Sequence, residues 1–309
     1  MVPLTNAHRA EPDRAAMPET RVPAMTLAAP ARRSAPPAEP VPMRHPLAVA
    51  PASGDAAALP AAPEPPGPNA AADIDGEAPV SGPDGIASVP PPPIYPTATP
   101  APAQLRYALQ IGIGAAARTG EATLSWQHDG ERYRLALVGQ DRGAPLVTQT
   151  SSGVFDAAGL APERFVDQRR GRRARSANFE RDSGRIRFSG PRTEYPAWPG
   201  VQDRLGWIVQ LAAIAQAAGA VPPELSLFVV DARGAGGLWT FKSQGGEPIA
   251  TRLGLVQAVK LLREPQQPYD WRVEAWLDPQ RGYWPARLRM TLPRSGAVFD
   301  LGLVAEPTP

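Results

Sequence analysis

The uneven distribution of proline and aromatic residues is the strongest constraint on what this 309-residue chain can fold into. Residues 1–103 hold 25 of its 40 prolines but, in Tyr95, only one of its 20 aromatic residues. Such a segment cannot bury enough apolar surface to offset the entropy lost on ordering, and its prolines interrupt helices. We therefore predict a disordered, Pro/Ala-rich linker over residues 1–103 and a single domain over residues 104–309.

The charges divide at the same boundary. The linker has 6 arginines and 10 acidic residues, so it is net −4, whereas residues 104–309 have 26 basic and 20 acidic residues and are net +6. This mild positive excess is compatible with an anionic partner but does not require one. The chain has no cysteine, which excludes disulfides, thiolate metal sites and cysteine nucleophiles.

The N-terminal sequence bears on the location of the protein. It lacks the uninterrupted apolar run of a signal peptide, and no run in the chain approaches the length of a membrane helix. Taken literally, this predicts a cytoplasmic protein. A long proline-rich arm before a β domain is nevertheless typical of a tether. We therefore expect a periplasmic location, or tethering to the inner membrane facing the periplasm, with the signal or anchor encoded upstream of Met1.

Most of residues 104–309 carries the pattern of β-strands. Apolar and polar residues alternate with a period of two, as in the segment Tyr107–Ile113. Short segments of this kind recur at spacings of about ten residues. They are separated by sequences typical of turns, among them His128–Glu131 and Gly245–Gly246. Such a succession predicts an antiparallel meander.

One segment has helical spacing instead. Residues 203–218 place their apolar side chains on one face, with Asp203 at the N-cap position and Gly219 where a helix would stop. We predict a mainly β fold, in which the antiparallel meander curls into a barrel or half-barrel with this one α-helix, about 203–218, as a plug.

Several short segments carry a resemblance to a known family. They are Ser152–Gly153, Gly159–Phe165, Asn178–Glu180, Gly200–Leu205, Trp276–Asp278 and Pro285–Leu288. In this order they resemble the motifs of a bacterial family, the domain of unknown function 3108, whose most specific signature is a Gln-Asp pair at a helix start. The resemblance covers about residues 104–309 and implies a β fold and an envelope location, but no activity. Gly206 stands where that family usually has serine.

The sequence offers few groupings of residues for catalysis. His128 is the only histidine of residues 104–309, and no spacing fits a serine triad, a metal site or a phosphate-binding loop. We predict no catalytic residues, no metal ligands and no cofactor. The alternative is a glycan-processing or hydrolase-like enzyme with dispersed carboxylates. The candidates for these are Glu121, Asp129, Asp203, Glu274 and Asp278.

The start of the predicted helix is the candidate ligand site. In one interpretation Asp203 caps the helix and Gln202 forms a polar junction with the sheet. In the other, Gln202, Asp203 and Arg204 form the polar rim of a cavity inside the curled sheet. Ligand cavities combine apolar and aromatic walls with a few polar groups, which Trp198 and Trp207 would supply. We predict that these five residues bind an apolar or amphiphilic ligand.

An arginine-rich hairpin tip is the second candidate. It surrounds Gly171 and contains Arg169, Arg170, Arg172, Arg173 and Arg175. Guanidinium groups suit phosphate, whereas nucleic-acid binding would need interleaved aromatic residues. The tip is either simply solvated or contacts an anionic lipid or polysaccharide surface. The prediction is thus a non-catalytic envelope domain whose partner is a lipid, a glycolipid or an envelope protein, not nucleic acid; a structural adaptor using this hairpin is a further alternative.

Overall fold

The computed structural model of the protein describes residues 91–309. They contain one α-helix, α1 (Gly206–Ala218), and two 3₁₀-helices, Gly114–Ala116 and Pro279–Arg281. The strands are β1 (Ala103–Ile113), β2 (Arg118–His128), β3 (Arg132–Asp141), β4 (Ala144–Asp156), β5 (Gly159–Arg169), β6 (Arg175–Glu180), β7 (Arg185–Phe188), β8 (Tyr195–Pro196), β9 (Gln202–Asp203), β10 (Glu224–Val230), β11 (Gly236–Thr251), β12 (Gly254–Arg263), β13 (Arg272–Asp278), β14 (Trp284–Leu292) and β15 (Ala297–Leu303).

All 15 strands belong to one curled sheet, in the order β8-β7-β6-β5-β4-β3-β2-β1-β15-β14-β13-β12-β11-β10-β9. The first and last strands of the chain pair at its centre, with Tyr107 opposite Leu303. The two end strands, β8 and β9, follow one another along the chain, and in the described part of the chain no ladder joins them. The prediction of a curled meander, a barrel or half-barrel, is therefore confirmed in its open form; the pairs are antiparallel except that of β9 with β10, which is parallel.

The period-two pattern of the sequence determines the core. In β1, Leu105, Tyr107 and Leu109 are buried while the intervening Gln104 and Arg106 are exposed. Burying one such apolar side chain stabilises the fold by about 1.5–3 kcal/mol. The hydroxyl of Tyr107 donates to the carbonyl of Pro285 at 3.0 Å, so its polar group is satisfied inside the core.

The helix is shorter than predicted. It begins at Gly206 and ends at Ala218, followed by the C-cap Gly219, which has a φ of 67°. Asp203 lies before it in the short strand β9. Every residue from Gly206 to Ala215 is buried, so the helix has no solvent-facing side over this stretch. Among residues 91–309, no helix has the length and apolarity needed to span a bilayer.

An extended segment, residues 91–102, covers one side of this helix. The amide of Ala98 donates to the carbonyl of Ala213 at 2.9 Å. The hydroxyl of Tyr95 accepts a hydrogen bond from the amide of Ser226 at 2.9 Å. The packed part of the chain thus includes residues that lie before the predicted boundary at 103/104. Residues 1–90 of the predicted linker lie outside the described residues.

The turn predicted at Gly245–Gly246 is wrong. These residues lie inside β11, where the pairing with β12 shifts register between Ser243 and Gly246. Such a shift is a β-bulge, and Gly245 supplies its positive φ of 84°. The β11–β12 hairpin therefore continues to a tip at 252–253. Two residues of this hairpin, Val256 and Ala258, form a second apolar cluster with Trp276 and Ala286.

Candidate ligand cavity

A cavity of about 260 Å³ is lined by α1 and by several strands of the sheet. Most of its wall is apolar and includes Leu137, Phe165, Trp207, Ile208, Trp271 and Leu288. Ligand cavities usually measure about 300–1,000 Å³, so this one is small. At the roughly 30 Å³ that a water molecule occupies in the liquid, it has room for roughly eight or nine non-hydrogen atoms. It suits a small ligand or the end of a longer one.

The polar part of the wall is built around Asp167, a carboxylate that is only 5% exposed. Its oxygens accept hydrogen bonds from Nε2 of Gln149 at 3.2 Å and from Nε of Arg169 at 3.1 Å. Nη2 of Arg233 lies 3.7 Å from the same carboxylate. All four residues line the cavity. The carboxylate thereby holds two arginines, from β5 and from the turn after β10, at the cavity wall.

Arg204 adds a third guanidinium to this wall. It lies two residues before the first residue of α1, and its Cζ is 4.7 Å from the ring centroid of Trp239, a cation–π contact. Trp207, in the first turn of the helix, is stacked on Phe241 with centroids 5.5 Å apart. The aromatic cluster of Trp207, Trp239 and Phe241 therefore fixes the helix start and, through it, the position of Arg204.

The charges on the cavity wall do not cancel. The three arginines face two carboxylates, Asp167 and Asp231, which leaves a net charge of +1. Oδ1 of Asp231 accepts hydrogen bonds from the amides of Arg233 at 2.7 Å and Ala235 at 2.9 Å, so this carboxylate shapes its own turn. An apolar cavity whose polar groups carry excess positive charge suits a ligand with an apolar body and an anionic head.

Asp203 lies beside this cavity but does not line it, and it is fully buried. Its Oδ1 accepts hydrogen bonds from the amides of Leu205 at 2.8 Å and Gly206 at 2.7 Å, which supports the capping interpretation. Its Oδ2 accepts from Oγ of Ser151, on β4, at 2.5 Å. Burial raises the pKa of Asp203 to about 6, against the lowering effect of these hydrogen bonds.

Two glutamines continue this polar network. Nε2 of Gln202 donates to the carbonyl of Leu160 at 2.8 Å. Oε1 of Gln210, on α1, accepts from the amide of Leu160 at 3.0 Å, while its Nε2 donates to the carbonyl of Ala158 at 2.6 Å. These bonds join β9 and α1 to the β4–β5 hairpin. We call this set the seam junction; its residues are Ser151, Ala158, Leu160, Gln202, Asp203 and Gln210.

The five residues predicted to bind ligand thus occupy three environments. Arg204 and Trp207 line the cavity. Gln202 and Asp203 are fully buried in the seam junction. Trp198 is half-buried and packs edge-on against Phe228, with centroids 5.3 Å apart, and it is not among the cavity-lining residues.

The predicted arginine tip lies next to the cavity. Arg169 is half-buried in the cavity wall, whereas the other four arginines of the run are exposed. The amide of Arg172 donates to the carbonyl of Arg169 at 3.0 Å, and Gly171 has a φ of 72°, so this is a tight turn. Arg175 packs over Gly190, directly before the cavity-lining Pro191.

The five carboxylates of the enzyme alternative are dispersed over the fold. Glu121 lies on the outer face of the sheet, Asp129 caps an exposed turn, Asp203 lies in the seam junction, Glu274 pairs with Lys260 at 2.8 Å, and Asp278 pairs with Arg281 at 2.5 Å. Across residues 91–309, no cluster of three or more His, Asp or Glu residues could hold a metal ion.

Sequence reasoning missed the central residue of the polar wall, Asp167, and its partner Arg233. Asp167 had a readable signal, because it alternates with Phe165 and Arg169 on one side of β5. A carboxylate that shares an inward strand face with an apolar side chain indicates a buried polar site, and Arg169 on the same face is a partner for it. Arg233 had none, because it follows a different strand some 65 residues later and meets Asp167 only through the curl of the sheet.

Comparison with known proteins gives the family of the chain but no ligand. No curated protein matches it. A solved β-barrel-like protein of the domain of unknown function DUF1849 from Brucella abortus is similar at 14% identity, covering 70% of this chain and 99% of that one, with a TM-score of 0.44. The sequence model of the family described as "Protein of unknown function (DUF3108)" matches residues 106–301. That match spans well over half of the 309 residues, so the chain belongs to the DUF3108 family.

Proposed function

We propose that this domain is a non-catalytic binding module of the cell envelope that takes a small amphiphile, with an anionic head and an apolar body, into the cavity beside α1. One observation carries the proposal: a cavity of about 260 Å³ with apolar walls has three arginines and two aspartates in its wall. Both aspartates are engaged, Asp167 by side-chain donors and Asp231 by backbone amides. The side chains of the wall carry one more positive than negative charge, which suits an anionic head group.

The two cavity-lining tryptophans, Trp207 and Trp271, provide the measurement. Their fluorescence is titrated with hexanoate and, separately, with 1-hexanol, which has the same apolar body without the charge. We expect hexanoate to bind more tightly. Arg204→Met keeps the aliphatic stem but removes the guanidinium, and should weaken hexanoate binding roughly 10- to 100-fold, the effect of one hydrogen bond to a charged group. Binding of 1-hexanol should not change.

A cavity-filling variant gives the decisive control. Ala235 lines the cavity and is 5% exposed, so Ala235→Leu should occupy part of the space and abolish binding of both probes. Ala250 is exposed near the tip of the β11–β12 hairpin, and the matched Ala250→Leu should leave binding unchanged. If neither probe binds the wild-type protein, or if Ala235→Leu binds as the wild type does, the proposal is wrong.

The envelope location is supported by the proline-rich composition of residues 1–103. It is tested separately, by fractionating cells that express the protein from its own chromosomal locus. Recovery in the periplasmic or membrane fraction is expected. Recovery in the cytosol would refute the location and leave the cavity proposal standing.

A further inference from the structure

Nearly all of the net charge of the described domain lies at one surface. Residues 91–309 are net +6. Residues 167–175 contain five arginines and one acidic residue and are net +4, and the adjoining Arg204 brings the surface to +5. The neighbouring turns 190–194 and 231–235 each contain one arginine and one acid and add nothing. We call this surface, made of Arg169, Arg170, Arg172, Arg173, Arg175 and Arg204, the arginine face.

The arginine face is continuous with the cavity. Arg169 and Arg204 line both, and the turns 190–194 and 231–235 contribute Pro191, Thr193 and Arg233 to the cavity wall. The face therefore surrounds the polar part of the cavity wall rather than lying elsewhere on the domain.

The hairpin tip of the arginine face exposes several positive charges close together. The turn that begins at Arg169 brings residues 169 and 172 within about 7 Å of each other at their Cα atoms. Arg170, Arg172, Arg173 and Arg175 are all exposed, and no acidic residue lies between Asp167 and Glu180 in the sequence. Like charges this close repel one another. Such an arrangement favours an anionic partner that meets several guanidinium groups at once.

We propose that the arginine face docks on a bilayer that contains anionic lipid and turns the polar part of the cavity wall toward the head groups. A bilayer presents many phosphates in one plane, and guanidinium groups pair with phosphate in a bidentate manner. Residues 167–175 contain no aromatic residue, so they offer no platform on which nucleic-acid bases could stack. The docking depends on the charge distribution and not on occupation of the cavity.

Co-sedimentation of the full chain with lipid vesicles tests the proposal. We expect binding to phosphatidylcholine vesicles that contain phosphatidylglycerol and none to phosphatidylcholine alone. Binding should be lost between about 0.1 M and about 1 M salt, because the screening length falls from about 10 Å to about 3 Å. Replacing Arg170, Arg172, Arg173 and Arg175 by glutamine should lower the partition coefficient by roughly 100-fold or more, since each arginine at such a surface contributes roughly a fivefold effect.

The matched control removes the same charge elsewhere. Arg106, Arg134, Arg252 and Arg294 are exposed and lie outside the arginine face, so their replacement by glutamine should largely preserve binding. Replacing the four tip residues by lysine should also preserve it, because the charge is kept. Circular dichroism establishes that each variant is folded. The four tip residues do not line the cavity, so hexanoate titrations should be unaffected; failure of docking is thereby distinguished from failure of the proposed ligand site.

Several results would overturn the proposal. Binding to neutral vesicles as tight as to anionic ones would remove its electrostatic basis. An equal loss of binding in the tip and control variants would mean that total charge matters and not the arginine face. Loss of binding in the lysine variant, together with competition by inorganic phosphate, would indicate a discrete phosphate site instead of a docking surface. Binding to a soluble anionic polysaccharide without binding to vesicles would assign the face to that partner.

Discussion

Replacing Asp203 by asparagine should change how the stability of the domain depends on pH. The carboxyl group is fully buried, and its three hydrogen-bond donors are Ser151 and the amides of Leu205 and Gly206. Burial raises its pKa from 3.8 to about 6. The folded protein therefore holds this proton more tightly than the unfolded chain does, and folding takes up a proton between these two pH values.

The sign and size of the effect follow from this difference. Below pH 3.8 the group is protonated in both states, and its favourable contribution is fully present. As the pH rises to about 6, only the unfolded chain ionises freely, so the free energy of unfolding falls. At about 1.4 kcal/mol per pKa unit, the loss amounts to about 3 kcal/mol and is complete above pH 6.

The side chain introduced by Asp203→Asn would be neutral at every pH. Its Oδ1 can keep the two amide hydrogen bonds and its Nδ2 can donate to Ser151, whose hydroxyl lies 3.2 Å from that of Tyr133. We therefore expect Asp203→Asn to gain about 3 kcal/mol relative to the wild type between pH 3.8 and pH 6. Urea unfolding of both proteins across this range measures the gain, and taking the difference cancels all other titrating groups.

Asp129 supplies a control of opposite sign. This exposed carboxylate accepts hydrogen bonds from the amides of Arg132 and Glu131, which lower its pKa. Its contribution is present above the unfolded pKa and is lost as the pH falls, so Asp129→Asn should lose stability relative to the wild type as the pH rises. A stability difference between Asp203→Asn and the wild type that stays constant with pH would refute the account of the buried carboxyl group.

Three further substitutions test packing and buried polar groups by urea unfolding at neutral pH. A Cβ at Gly206 would lie 2.8 Å from Oε1 of Gln202, whose side-chain amide is held by the carbonyl of Leu160. Gly206→Ala should therefore lower the free energy of unfolding by about 1–3 kcal/mol. In the control Gly302→Ala the new Cβ would have no atom within 4 Å, so the free energy of unfolding should not change. Gln210→Leu removes the hydrogen-bond partners of the amide of Leu160 and the carbonyl of Ala158, so the free energy of unfolding should fall by about 2–4 kcal/mol. A fall below about 1 kcal/mol would mean that water takes over the hydrogen bonds of the side chain. Arg263→Met leaves Asp270 buried and without its 2.7 Å ion pair and should cost about 3–5 kcal/mol, whereas Arg272→Gln, from an exposed pair with Glu264, should stay within about 0.5 kcal/mol.

The strands were predictable because their signal is local. Except for β8 and β9, consecutive strands pair with each other, so period-two alternation and turn residues locate most of them. The glycines were harder to interpret. Gly130 marks a true hairpin turn, with a φ of 96°, whereas Gly245 marks a bulge inside a long strand, with a φ of 84°. The sequence does not separate these cases, because both use glycine for the same positive φ.

The packing of residues 91–102 was not predictable for a different reason. Apart from the side chain of Tyr95, its hydrogen bonds use main-chain groups, such as the carbonyl of Pro100, which accepts from Nε1 of Trp126 at 2.9 Å. Carbonyl groups leave no periodic pattern in a sequence. The cavity also leaves no periodic pattern in the sequence, because Asp167 and Arg233 come from hairpins in different halves of the meander and meet only in the curled sheet.

Four of the residues that carry the family resemblance account for a part of the fold and not for ligand binding. A Cβ at Gly153 would lie 2.2 Å from the carbonyl of Ala161, and one at Gly159 would lie 2.7 Å from Oε1 of Gln210. Together with Gln202 and Asp203, these residues hold β9 and α1 against the β4–β5 hairpin. These four residues are therefore architectural, since none of them lines the cavity, whereas Phe165, Arg204 and Leu288 of the same family segments do.

Arg204 links the seam junction to the cavity, because it lines the cavity and lies between Asp203 and the start of α1. Substitutions in the seam junction should act on ligand binding only through the position of Arg204 and Trp207. Gln210→Leu should therefore weaken hexanoate and 1-hexanol together if it shifts Trp207, and hexanoate alone if it shifts Arg204. A variant that loses stability but keeps both affinities would establish that the seam junction and the ligand site are energetically separate.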